Sequence, residues 1–116
     1  METKGSLNIK IKYLQNLCEI TFADISEELI NACEIDINFD LKENVQSLIK
    51  VDQDINQLKK RIRKVCSTNK ELVDECRDLY NKLFLVHKAI YETMKTEFGI
   101  VDCWENENGT LGYARY

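Results

Sequence analysis

The sequence predicts an all-α protein: an elongated helical hairpin or coiled coil with one long heptad helix over about residues 41–98 and a small C-terminal β-hairpin. Three observations carry that prediction. A seven-residue apolar repeat runs almost unbroken through the middle of the chain. Its a positions are Leu41, Leu48, Ile55, Ile62, Asn69, Cys76, Leu83 and Ile90, and its d positions are Asn44, Val51, Leu58, Val65, Leu72, Leu79, Val86 and Thr93. Such a repeat keeps one narrow apolar seam on one side of a helix. The chain has no proline, so nothing forces a long helix to break. Near the C-terminus, Asn108-Gly109 stands between two β-prone runs and marks a two-residue type I′ turn.

Taken in order, residues 1–5 read as a disordered lead and Ser6 as an N-cap. Leu7, Ile11, Leu14, Cys18, Phe22, Ile25, Leu29 and Ala32 then recur at spacings of three and four, the stripe of one helix over 6–33. Asp24 with Glu27 offers a second helix start inside it. Residues 34–40 alternate polar and apolar, the period of an extended connector with short β structure. Asp40, with Glu43 as its reciprocal partner, caps the next helix. That helix, over 41–98, would be roughly 85 Å long, and the first helix folded back on it would cover only about 42 Å. About half of the seam would then face water, which predicts a second chain to cover it. Gly99, between Phe98 and Ile100, ends the helix in a Schellman cap. A turn at Asn108-Gly109 sets Trp104 opposite Tyr113 and Asp102 opposite Arg115.

At 116 residues the chain is one domain. Its net charge of −4 argues against general nucleic-acid binding. The charge is nevertheless blocky. Lys59, Lys60, Arg61, Arg63, Lys64 and Lys70 are followed by Glu71, Asp74, Glu75 and Asp78. Blocks of this kind can set register against a partner. They also leave weak nucleic-acid binding through Lys59 to Lys70 as an alternative. The N-terminus lacks the apolar run of a signal peptide, and no stretch approaches a membrane span. The expected setting is cytoplasmic or nuclear, with the five cysteines reduced.

Catalytic chemistry is not expected. The single histidine, His87, lies in a hydrophobic stretch and reads as a packed or interface residue. No serine or cysteine pairs convincingly with it as an activated nucleophile. There is no Gly-rich phosphate loop and no close CxxC pair for zinc, so no cofactor, metal or small-molecule substrate is expected. Lys60-Arg61-Ile62-Arg63 is similar to a basic nuclear-import signal, although Ile62 belongs to the seam. Asn108-Gly109-Thr110 matches a glycosylation acceptor but reads as the turn. Cys66 and Cys76 enclose nine residues, a spacing that resembles half of the motif of the twin CX9C proteins of the mitochondrial intermembrane space. That resemblance implies two antiparallel helices joined by two disulfides. The other pair, Cys18 and Cys33, encloses fourteen residues and does not match.

The e positions Cys66, Val73, Tyr80, His87 and Met94 are mostly apolar, so the stripe widens beyond a two-stranded seam, with the tightest bundle at 79–98. In a parallel homodimer only Asp54 and Lys59 would make a good g-to-e pair, which favours a hetero-oligomer over a homo-oligomer. The sequence therefore points to a non-catalytic coiled-coil subunit or adaptor of a multiprotein assembly. Its partner-binding residues would be Ile55, Leu58, Ile62, Val65, Asn69, Leu72, Cys76, Leu79, Leu83, Phe84, Val86, Ile90 and Trp104.

Overall fold

The computed structural model describes residues 3–36, 39–107 and 111–115. Among the described residues four helices come in order: α1 (Thr3–Phe22), α2 (Glu27–Cys33), α3 (Val45–Thr68) and α4 (Val73–Phe98), with a 3₁₀ turn (Lys70–Leu72) before α4. Strands β1 (Ile100–Glu105) and β2 (Leu111–Arg115) follow as an antiparallel pair. The helical hairpin with a small C-terminal sheet is the architecture the sequence led us to expect.

One expected feature is different: the heptad segment 41–98 is not a single rod. The longest dimension of the molecule is 50 Å, too short for a helix of roughly 85 Å. The chain turns at Asn69, whose φ of −127° and ψ of 97° are extended. Asn69 makes three hydrogen bonds at the turn, and its carbonyl accepts one of them from the Leu72 N–H at 3.3 Å. The Asn69 N–H donates to the Val65 carbonyl at 2.8 Å and closes α3. The Asn69 Oδ1 accepts from the Glu71 N–H at 3.2 Å and opens the 3₁₀ turn. Asparagine does this because its short side chain competes for nearby backbone N–H groups. The repeat itself hides the break, since a polar residue is also an ordinary guest at one a position.

α4 then runs back antiparallel on α3, so that Asp52 meets His87 and Lys59 meets Tyr80. The seam becomes the core: Leu48, Ile55 and Ile62 from α3 are almost fully buried with Cys76, Leu83 and Ile90 from α4. α1 packs antiparallel on α4 and contributes Ile11, Leu14, Cys18 and Phe22. Its Lys10 Nζ bonds Glu97 at 2.7 Å and Thr96 at 3.0 Å, near the C-terminus of α4. The half-exposed seam that predicted a covering chain is therefore absent, and the stripe is hidden within the polypeptide itself.

The N-terminal half departs from expectation in its boundaries. α1 begins at Thr3, so residues 3–5 are not a disordered lead and Ser6 lies inside the helix instead of capping it. The single helix expected over 6–33 is two, because Ser26 starts a new one: its Oγ accepts from the Leu29 N–H at 3.1 Å. Glu75 on α4 fixes that start, accepting from the Ser26 N–H at 2.8 Å and from its Oγ–H at 2.6 Å. In the connector, residues 34–36 and 39–40 form no strand; Ile37 and Asn38 lie outside the described residues. The apolar members of the alternation serve as anchors. Ile35 is buried, and the Phe39 ring sits 5.4 Å from that of Phe22. α3 starts at Val45 under an Asn44 cap, which accepts from the Ser47 N–H at 2.8 Å, and not at residue 41 under Asp40.

Gly99 ends α4 as expected, with φ 65° and its N–H bonded to the Met94 carbonyl. The hairpin register is shifted by one residue from the expected one. Trp104 pairs with Gly112, Cys103 with Tyr113 and Asp102 with Ala114, with an irregularity between Ile100 and Asp102. Neither the Trp104–Tyr113 pair nor the Asp102–Arg115 pair forms. Asn108, Gly109 and Thr110 lie outside the described residues. Even so, the pairing of Glu105 with Leu111 leaves an odd number of residues between them, and a two-residue turn needs an even number. Gly112 explains the choice of register: a Cβ there would lie 2.6 Å from the Trp104 ring, so only glycine lets the indole cross the partner strand.

Candidate interaction surface

Most of the residues expected to meet a partner are inside the chain. Ile55, Leu58, Ile62, Leu72, Cys76, Leu79, Leu83, Val86 and Ile90 are buried in its own core, and Val65 and Asn69 are half-buried at the turn. Only Phe84 and Trp104 stay substantially open, at 52% and 47% exposure. Leu85 beside Phe84 is exposed as well, and Ile9, Tyr13 and Ile20 stand on the outer side of α1.

Phe84 and Trp104 belong to two neighbouring clefts. One, of about 410 Å³, is lined by Phe84, His87, Lys88, Tyr91, Glu92 and Lys95 along α4. The other, of about 210 Å³, lies between α3 and the hairpin, with Asp52, Asn56, Lys60, Cys103 and Trp104 in its lining. They adjoin at a contact between Asp52 and His87, where the Nδ1 to carboxylate distance is 2.5 Å. A carboxylate only accepts, so the imidazole Nδ1 carries the hydrogen. His87 stacks on Tyr91, whose hydroxyl donates to the Val101 carbonyl at 2.9 Å, and this ties the hairpin to α4. Lys59 on α3 lies 5.2 Å from the centres of both the Tyr80 and the Phe84 rings, so a cation–π contact braces the exposed phenyl ring. Trp104 is held by its indole N–H bond to Asn106 at 2.8 Å. The surface is thus apolar, aromatic and fixed in place, with lysines at its rim.

Asp52, His87 and Cys103 invite a catalytic reading, and their geometry opposes it. A cysteine nucleophile needs the imidazole between itself and the carboxylate. Here Asp52 bonds His87 and lines a cleft with Cys103, and among the described residues no hydrogen bond joins Cys103 to His87. Burial first, then the charges of Asp52 and Asp102, push the Cys103 thiol up, away from the thiolate that would attack.

Three other thiols, Cys18, Cys33 and Cys76, are likewise pushed up by burial. Burial raises Cys18 to about 11, helped by Glu19, and burial raises Cys33 to about 11, helped by the neighbouring Cys76. No described cysteine is in a disulfide. Cys66 lies on α3 and Cys76 on α4, so the nine-residue spacing straddles the turn and does not lie along one helix as the CX9C resemblance implies. No group of three or more His, Cys, Asp or Glu among the described residues is placed to hold a metal ion. The fold-back also lays the basic block 59–70 beside the acidic block 71–78.

Two contacts went unseen in the sequence, Ser26 with Glu75 and Asp52 with His87. The second has a signal there: Asp52, Lys59, Tyr80 and His87 are all e positions. When a heptad helix doubles back, e meets e, so an acid and a histidine at mirror-related e positions mark the antiparallel fold. No helix among the described residues is long and apolar enough to cross a membrane. Comparison with models of known protein families, with characterised proteins and with solved structures gives no match.

Proposed function

We propose that the chain is a non-catalytic helical subunit or adaptor of a larger protein assembly. It binds a different polypeptide through the outer side of α4 and the adjoining hairpin, not through the heptad seam. The observation that carries this reading is the exposure of Phe84 and Trp104 in a fold whose remaining large apolar side chains are mostly internal. Aromatic side chains held rigid at the surface are the residue type that dominates interface energetics. The lysine rim of Lys60, Lys88 and Lys95, with Lys59 over the Phe84 ring, suits a partner segment that carries acidic residues around an apolar stripe. A cytoplasmic or nuclear setting, where thiols stay reduced, goes with this reading.

The test compares the wild type with a Phe84→Ser, Trp104→Ser double variant, each tagged and purified from cells that express the protein. Both side chains are about half exposed, so the melting temperature should change by only a few degrees. The proposal expects a co-purifying protein that is lost with the double substitution. An identical set of co-purifying proteins from the two forms would refute it.

A further inference from the structure

The heptad phase crosses the turn without a slip. Val65 and Asn69 before the turn, and Leu72 and Cys76 after it, are consecutive members of one seven-residue count. A hairpin makes no such demand, because a turn breaks the phase relation and each arm could carry its own. Only a state in which the two arms form one helix requires a shared phase. The break is also small. α3 keeps its helical bond from Asn69 N–H to Val65 O, Val73 is already helical, and only Asn69 among these residues is extended. Neither glycine nor proline stands in the hinge.

From these observations we propose that residues 45–98 also form one continuous helix, exchanged between two copies of this chain in a domain-swapped dimer. The unit α1–α3 of one copy packs on α4 and the hairpin of the other. Self-complementarity is then assured, because every contact away from the hinge is one the folded-back chain already makes. Opening the hinge breaks the bond from Glu71 N–H to Asn69 Oδ1 and replaces the turn with helical bonds. This state does not depend on the aromatic surface around Phe84, so its failure leaves the proposed function standing, and the converse holds.

The hinge residue and a pair of engineered thiols provide the test. Asn69→Ala removes the side chain that stabilises the turn and improves helix propensity by about threefold per hinge. With two hinges per dimer, the association constant should rise by about tenfold or more. Inserting Gly-Gly-Ser after Thr68 relaxes the turn and interrupts the helix, and should leave only monomer. Each protein is refolded from urea at high concentration, and its mass is measured by light scattering against the 13.6 kDa chain. A short bismaleimide then bridges two engineered thiols, Lys10→Cys and Glu97→Cys, in each protein. Position 10 on α1 precedes the hinge and position 97 on α4 follows it, and the native side chains there touch at 2.7 Å on the surface. In monomer the bridge stays within one chain; in the swapped dimer the same bridge joins two chains and gives a covalent dimer under denaturing conditions.

The expected result is a dimer for the wild type after concentrated refolding, enriched in Asn69→Ala, lost in the insertion variant and bridged between chains. Monomer alone for both wild type and Asn69→Ala would overturn the proposal. So would a dimer whose bridges remain within one chain. Should Asn69→Ala fail to fold, the wild type and the insertion variant decide the question by the same two readouts.

Discussion

The contact between Ser26 and Glu75 is where a single pair of side chains decides the course of the chain. Ser26 Oγ accepts from the Leu29 N–H and caps α2, while both oxygens of the Glu75 carboxylate take hydrogens from Ser26. Ser26→Ala removes the cap, a loss of about 1 kcal/mol, and one of the two bonds to Glu75. Glu75→Ala removes both of those bonds and leaves the Ser26 N–H unpaired. Hydrogen bonds to a charged acceptor contribute about 1.5–3 kcal/mol, and the half-buried setting places these at the low end. Each single variant should therefore lose about 2–3 kcal/mol, with about 1.5 kcal/mol of that shared between them. An unfolding entropy of about 2.1 cal/mol/K per residue makes 2 kcal/mol worth about 8 °C for a chain of this length. Thermal and urea unfolding of wild type, both single variants and the double variant, followed by circular dichroism, measure the cycle. Losses that add to within about 0.3 kcal/mol would show that the two side chains do not interact, and the account of why α2 begins where it does would fail.

Three further outcomes follow from the packing. Leu83 is fully buried, so Leu83→Ala should cost about 3 kcal/mol, and Leu79→Asp with Leu83→Asp should abolish the helical circular dichroism signal outright; a folded, soluble double variant would contradict the internal seam. Gly112→Ala drives a Cβ into the Trp104 ring; because Trp104 is the only tryptophan, its fluorescence maximum should shift while the helical signal holds, and an unchanged spectrum would contradict the observed register. Cys18 and Cys33, pushed to about 11 from an unfolded value of 9.0, stay protonated in the fold while the unfolded chain loses those protons. Stability is then complete below pH 9 and falls as pH rises towards 11, by at most about 2.7 kcal/mol per thiol and less where solvent screens. Urea midpoints at pH 8 and 10.5 should differ more for the wild type than for a Cys18→Ala, Cys33→Ala variant; equal differences would refute the assignment.

By itself the sequence determined the helical class, the residues of the core and the stop at Gly99. Each of these is a local or periodic property: a spacing of apolar side chains, or one residue that tolerates a left-handed backbone. Every a and d side chain that the repeat marks on α3 and α4 is at least half-buried. What the repeat could not state is which surface does the burying. A seam facing a second chain and a seam facing itself are the same string of letters, because burial depends on the closing contact and not on the period. Asn69 decided between them through a backbone turn and one side-chain bond to Glu71, and a polar a residue permits both outcomes. The tertiary structure also decided where α2 starts, since Ser26 competes with Asp24 on equal local terms until Glu75 arrives from α4. It set the hairpin register in the same way, through the fit of the Trp104 ring over Gly112. The exposed aromatic surface is the remainder: Phe84 and Trp104 stand out only once the seam has closed on itself and left them outside.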